Sequence, residues 1–389
     1  HYAEHLAEIN KEREVLSTQD ITNSRGVLLV KKGTRIDNSA VDKIVKHKLS
    51  KPIDEQVAIE DSINNDKLIV QTTELLDQHP DLKSVVQGHE FIDKLSENIS
   101  KANVPPLLFQ NLTVMHLQQP NLFEKALYTA VLCCIIADKI GMDEVDVRRT
   151  YIAGLIHDLG LMRIDPAILN KKEQLTSEEW RAIQSHVVIG EMMIKSINGI
   201  TQETARAVLE HHERCDGTGY PLGKNESSLD MPGQIVGIAD SLQAIRVNQF
   251  SKNNLNLANT IPYLQMNSST FFDKVYRATH LLLKDCELEP GTTNPHPSIT
   301  DFSKDLATRT GGLHDVIVPL QRVFRLIIPL KTQKRGSAVK RVNYRVIQKI
   351  NQSGILDQQL TEWLKSISED DSTDKSTMTE LNFTHLMLK

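Results

Sequence analysis

Cysteine is scarce in this chain of 389 residues: there are four, Cys133, Cys134, Cys215 and Cys286, and no CxxC pair. That excludes a disulfide framework and fits a reducing, cytoplasmic setting. The adjacent Cys133 and Cys134 lie in an apolar stretch and read as small core hydrophobes. Glycine (18) and proline (14) are too few for a collagen-like or low-complexity chain. A strong charge of one sign is also lacking. With 45 Lys/Arg against 50 Asp/Glu the net charge is −5, too mild for wholesale nucleic-acid binding. Long hydrophobic runs are missing as well. The longest uninterrupted one, Ala130 to Ala137, has eight residues, against the roughly 20 of a membrane span. The first residues offer no apolar signal core. The expectation is a chain without a membrane span. What is present, 40% apolar and 24% charged residues, is ordinary for a globular protein, and the length suggests two or three domains at roughly 150 residues each.

The pattern changes along the chain. Residues 1–60 read as a small α+β unit of regulatory character. A helical start over Ala3 to Val15 leads to a turn at Asn23–Gly26, a strand-like run Val27 to Val30, hence a hairpin, and a short helix from Ser39 to His47. Residues 61–117 read as a helical connector interrupted at Pro80 and Pro105-Pro106. From Pro120 the chain is all-helical. Leu122 to Ile140 is apolar nearly all round, as a buried helix is. Further helices are expected over Val147 to Leu159, from a capping box at Thr176-Ser-Glu-Glu179 to about Ile197, over Gln202 to His212, and over Ile235 to Val247. Residues 286–389 form a C-terminal extension of different composition. It has a linker or loop over Glu289 to Pro297, an apolar stretch Val316 to Leu330, and a basic run Lys331 to Lys349 with seven Lys/Arg and no acid. That run reads as a solvated basic face.

The chemistry-bearing residues fall between His157 and Asp240. His157-Asp158 ends one expected helix, His186 lies on the next, His211-His212 ends a third, and Asp240 lies on a fourth. Imidazoles and carboxylates are ligands that suit Fe, Mn or Zn, and helices packed about one axis bring such side chains together. Neighbours on a helix point about 100° apart, so His211 and His212 more naturally serve two adjacent metals, or frame one site from two sides. A carboxylate such as Asp158 can bridge two cations, and two metals about 3.5–4 Å apart activate a water and clamp a phosphoryl group.

Several stretches carry a family resemblance. His211-His-Glu-Arg-Cys-Asp-Gly-Thr-Gly-Tyr-Pro221, together with His157-Asp-Leu-Gly160, Pro166-Ala-Ile-Leu-Asn-Lys171, Ser185-His186 and Ile238-Ala-Asp240, resembles the HD-GYP branch of the HD-domain metal-dependent phosphohydrolases over residues 118–285. The resemblance implies a mainly α fold: an HD-type helical bundle carrying the small α+β N-terminal domain and the C-terminal extension. It also implies a metal-dependent phosphodiesterase that opens cyclic di-GMP to pGpG and GMP in bacterial second-messenger signalling. Asp158 and His157 would be catalytic. The ligands of two divalent metals, iron or manganese, would be His157, Asp158, His186, His211, His212 and Asp240. The loop Gly217, Thr218, Gly219, Tyr220 and Pro221, with Arg163 nearby, would border the substrate. Cyclic di-GMP is the implied ligand, with a protein partner through the flanking units and a homodimer as further expectations.

The chain departs from the family at two places. A ligand His of the preceding helix falls on Lys125, and a phosphate-contacting Lys falls on Leu161. A protonated Lys cannot ligate, so one of the two metal positions is left open. Placed on an apolar helix, Lys125 requires carboxylate partners, and Asp158 and Asp240 are the expected ones. The departures also admit a second reading, a catalytically degenerate module that senses cyclic di-GMP or docks a partner protein.

Overall fold

The structure is a computed structural model. It describes residues 2–250, 255–286, 288, 291, 298–327, 346, 347, 350, 353, 355–367 and 375–388. Nearly all of the basic run Lys331 to Lys349, most of the Glu289 to Pro297 linker and the end of the apolar stretch lie outside the described residues. The chain forms two units, residues 1–243 with 270–282, and residues 244–269 with 283–389.

In the first unit, α1 (Tyr2–Ile9) is followed by β1 (Val15–Ser17), β2 (Ile21–Thr22), β3 (Leu28–Val30), α2 (Asn38–Ile44) and β4 (Val57–Ile59). The expected hairpin is β2–β3. The Asn23 carboxamide oxygen accepts from the Arg25 and Val27 amides at 2.9 Å each, which holds its turn. β1 pairs antiparallel with β4, Val15 opposite Ile59. The expected first helix is shorter than its apolar spacing suggested, because Val15 leaves it to begin β1.

Six helices then lead to the chemistry-bearing segment, α3 (Asn65–Gln78), α4 (Pro80–Gly88), α5 (Ile92–Ser100), α6 (Pro106–Gln118), α7 (Pro120–Ile140) and α8 (Glu144–Ile156), and the short α9 (Pro166–Leu169) lies within it. Prolines open α4, α6 and α7, where a missing amide costs nothing. Gly141, at φ 82°, ends α7 in the left-handed conformation. By length and composition α7 is long and apolar enough to cross a membrane, more than its longest uninterrupted run suggested. Yet 72% of its most apolar stretch is buried inside the protein, and it packs on α3, α5, α6 and α8 as a core helix does.

The expected helix from Thr176 to Ile197 is two helices, α10 (Ser177–Gln184) and α11 (His186–Ile194). Thr176 and Glu179 form the expected capping box. The break falls at Ser185, whose hydroxyl donates to the Ala182 carbonyl at 2.6 Å and competes with the helical ladder. Then come α12 (Gln202–Glu210), packed on α8 and α11, α13 (Met231–Ile245), and α15 (Asp273–Asp285) beyond the short α14 (Ile261–Met266). The second unit contains α14, α16 (Ile299–Ile327), α17 (Gln358–Ser366) and α18 (Lys375–Met387), around a core that includes Phe302, Leu306, Leu364 and Leu381.

Candidate metal centre

The buried helix α8 ends at Ile156 and delivers His157 and Asp158 just beyond its last turn. A 3-10 turn, Leu159–Arg163, follows, closed by the Leu161 amide on the Asp158 carbonyl at 2.9 Å. Gly160 lets this turn lie on the start of α11, since a β-carbon there would overlap the His186 carbonyl oxygen. His186 is the first residue of α11, and His211 caps the end of α12. Asp240 lies within α13, where a β-carbon at Gly237 would meet the His211 carbonyl. Four helices or helix ends thus aim their side chains at one point.

Three of the imidazoles are held alike. Nδ1 of His157, His186 and His211 lies 2.7, 2.7 and 2.8 Å from the carbonyls of Gly154, Ile183 and Val208, each one turn earlier. Only an N–H pairs with a carbonyl, so the Nδ1 proton of each is fixed and Nε2 faces inward. The His186 and His211 Nε2 atoms face each other at 3.4 Å. Burial, followed by the neighbouring His212 and His157, holds His211 well below the usual histidine range. His157 is fully buried, and its Nε2 makes no hydrogen bond. Opposed ring nitrogens and an unsatisfied buried nitrogen are what a divalent cation would satisfy, and the donor set fits one.

The six expected ligands converge. The ligand atoms of Asp158, His186, His211 and His212 lie within 4.8 Å of one another, as do those of His157, His211 and Asp240. Asp158 is shared. Its Oδ1 is 3.2 Å from His186 Nε2 and 3.9 Å from His211 Nε2, and its Oδ2 is 3.2 Å from His157 Nε2. Lys125 comes from α7 with its Nζ 2.7 Å from Asp158 Oδ2 and 2.9 Å from Asp240 Oδ1, the two carboxylates expected of it. Burial alone would raise Asp158, but His157 and Lys125 outweigh it and hold the carboxyl well below its usual range. Burial likewise pushes His157 down, and Asp158 and Asp240 overturn this, leaving it up at about 9. Desolvation, helped by His186 and opposed by Asp240, pushes the half-buried His212 down to about 3. Glu124, next to Lys125, turns instead to His79, 2.9 Å away.

The loop from Gly217 to Pro221 lies against this cluster. Gly219 fits where a β-carbon would overlap the His212 carbonyl, and the Tyr220 ring stacks on His212 with centroids 4.6 Å apart. Gly217, at φ 71°, turns the chain, and the Thr218 amide donates to Asp216 Oδ1 at 3.0 Å. Sequence reasoning gave no role to Glu213, yet this fully buried carboxylate accepts from the amides of Leu222, Gly223 and Lys224 at 2.6, 3.1 and 2.9 Å and so holds the loop. The signal was available: an acid directly after a histidine pair, in a segment rich in glycine. Arg214 was missed too, and donates to the carbonyls of His211 and Glu213. Arg163, expected beside the substrate, is engaged elsewhere. Its Nη2 is 3.2 Å from Asp54 Oδ2, and the guanidinium lies 4.2 Å over the Tyr2 ring. Leu161 is half-buried in the 3-10 turn.

A family model described as HD domain matches residues 103–275. Curated relatives resemble part of this chain over part of their own length. A cyclic di-GMP phosphodiesterase of Thermotoga maritima is 40% identical over 111 residues, 28% of this chain and 30% of that protein. The cyclic di-GMP phosphodiesterase PA4108 of Pseudomonas aeruginosa is 28% identical over 155 residues, 39% of this chain and 37% of that one. The 3'3'-cGAMP-specific phosphodiesterase 1 of Vibrio cholerae is 32% identical over 123 residues, 32% and 28% of the two chains. The chain thus spans about a third of the length of the curated relatives it matches.

Proposed function

We propose that the HD domain is a metal-dependent phosphodiesterase of cyclic dinucleotides, with cyclic di-GMP as substrate and pGpG and GMP as products. The observation that carries this reading is the convergence of His157, Asp158, His186, His211, His212 and Asp240, with the His186 and His211 Nε2 atoms turned toward each other. The names of the relatives supply the substrate class, and 3'3'-cGAMP is the related alternative to assay. Divalent iron or manganese held by these residues would neutralise phosphate charge and make water a competent nucleophile at neutral pH. Asp158 offers one oxygen to each half of the cluster. His157, with its partner carboxylates, keeps a proton or a cation at Nε2. Tyr220, stacked on His212, walls the site on the side of the 217–221 loop. The free thiols support a reducing compartment, the cytoplasm.

The test is metal analysis of protein purified without oxygen, with chromatographic assay of cyclic di-GMP and 3'3'-cGAMP hydrolysis. Absence of bound metal, or absence of hydrolysis of either substrate by metal-loaded protein, would sink the enzymatic reading. One observation favours a second reading, a module that binds the dinucleotide without turnover: Lys125 lies between two of the carboxylates. Tight binding without product formation would decide for it.

A further inference from the structure

We infer that Lys125 is a built-in cation of this centre: its ammonium takes the place of a second metal, and the protein binds a single divalent ion through Asp158, His186, His211 and His212. The inference rests on the proposed metal-binding reading and deepens it. Two ligand groups meet at Asp158, and they differ in charge. One contains Asp158 Oδ1 and the imidazoles of His186, His211 and His212. The other contains His157, His211 and Asp240, and it is bordered by Asp158 Oδ2.

The Lys125 ammonium touches both carboxylates of that second group, 2.7 Å from Asp158 Oδ2 and 2.9 Å from Asp240 Oδ1. A divalent ion bonded to the same two oxygens, at roughly 2.0–2.2 Å from each, would lie against the ammonium. Like charges at such separation repel strongly away from bulk water. Asp158 and Asp240 are almost fully buried, so each needs a positive partner, and the lysine already supplies one to both. In the first group Asp158 Oδ1 faces the Nε2 atoms of His186 and His211 at 3.2 and 3.9 Å, and these two nitrogens lie 3.4 Å apart. Nζ carries three donors and spends two on the carboxylates. With the side chain 27% exposed, the third is available to an anionic oxygen of a bound phosphodiester.

The count of metals tests this directly, without reference to turnover. The full chain is purified without oxygen, loaded with Mn(II), freed of excess by gel filtration, and measured by elemental analysis and electron paramagnetic resonance. Wild type should hold about one manganese with the spectrum of an isolated ion, and Lys125→Met about two with the spectrum of a coupled pair. Lys125→Arg, which keeps the charge, should stay at the wild-type count, and circular dichroism checks that each variant is folded. Two manganese ions in wild type would overturn the inference. A wild-type count in folded Lys125→Met would overturn it too, and so would two ions in Lys125→Arg. Loss of all metal from wild type and both variants would instead bring down the metal-binding reading beneath it.

Discussion

The two oxygens of Asp158 look into different surroundings. Oδ1 meets His186 and His211, whose Nδ1 atoms are held by the carbonyls behind them. Oδ2 meets His157 and the Lys125 ammonium, and Asp240 Oδ1 lies near both of these groups. The first half has ligands and no counter-charge, while the second has its counter-charge attached to the chain. A carboxylate pair buried this deeply must be neutralised by something. A lysine achieves this permanently and gives up an exchangeable metal position, whereas three imidazoles leave the position open to an ion from solution.

The most damaging change should be one that touches both halves. His211 contributes to both ligand groups, so His211→Ala is expected to lower bound metal by at least about tenfold, measured by elemental analysis after loading. Retention of wild-type metal would mean that the halves do not share this ligand. Next in size is Lys125→Met assayed in chelator. Without metal it leaves the buried Asp158 and Asp240 with only His157 as a cationic partner, and urea unfolding should show a loss of about 3 kcal/mol. Addition of Mn(II) should recover that loss in the variant more than it stabilises wild type.

A third change addresses the open half alone. Gly160→Ala sets a β-carbon on the His186 carbonyl oxygen, and the shift of α11 should cost about 1–3 kcal/mol. It should weaken metal binding through His186 while the contacts of Lys125 persist, which Mn(II) titration of the variant and of its Lys125→Met combination would separate. The smallest effect is expected from Glu213→Gln, which keeps the shape and loses the charge that three amides address. A cost of about 1–2 kcal/mol should appear as faster hydrogen exchange at Leu222, Gly223 and Lys224. Metal content should be unchanged, since Glu213 grips the loop and not the ion.

Much of this centre could be read from the chain. The six ligand types stand in order at the ends or on the inner faces of helices, the capping box at Thr176 and Glu179 is local chemistry, and the glycines of the 217–221 loop mark a tight path. Lys125 was legible as an anomaly, since a lysine on an apolar helix needs a negative partner. These features depend on residues three or four apart, or on residue type alone, and the sequence by itself determines them. What packing alone decided spans long separations. It set which oxygen of Asp158 faces which histidine, and it brought Lys125 to Asp158 across 33 positions. It turned Arg163 to Asp54 across 109 positions and away from the role expected of it. It also gave Glu213 its three amides. The physical reason is common to all of these. A side chain's type fixes what it can bond, but its partner and the direction of its lone pair are fixed only when distant helices close around it and exclude water.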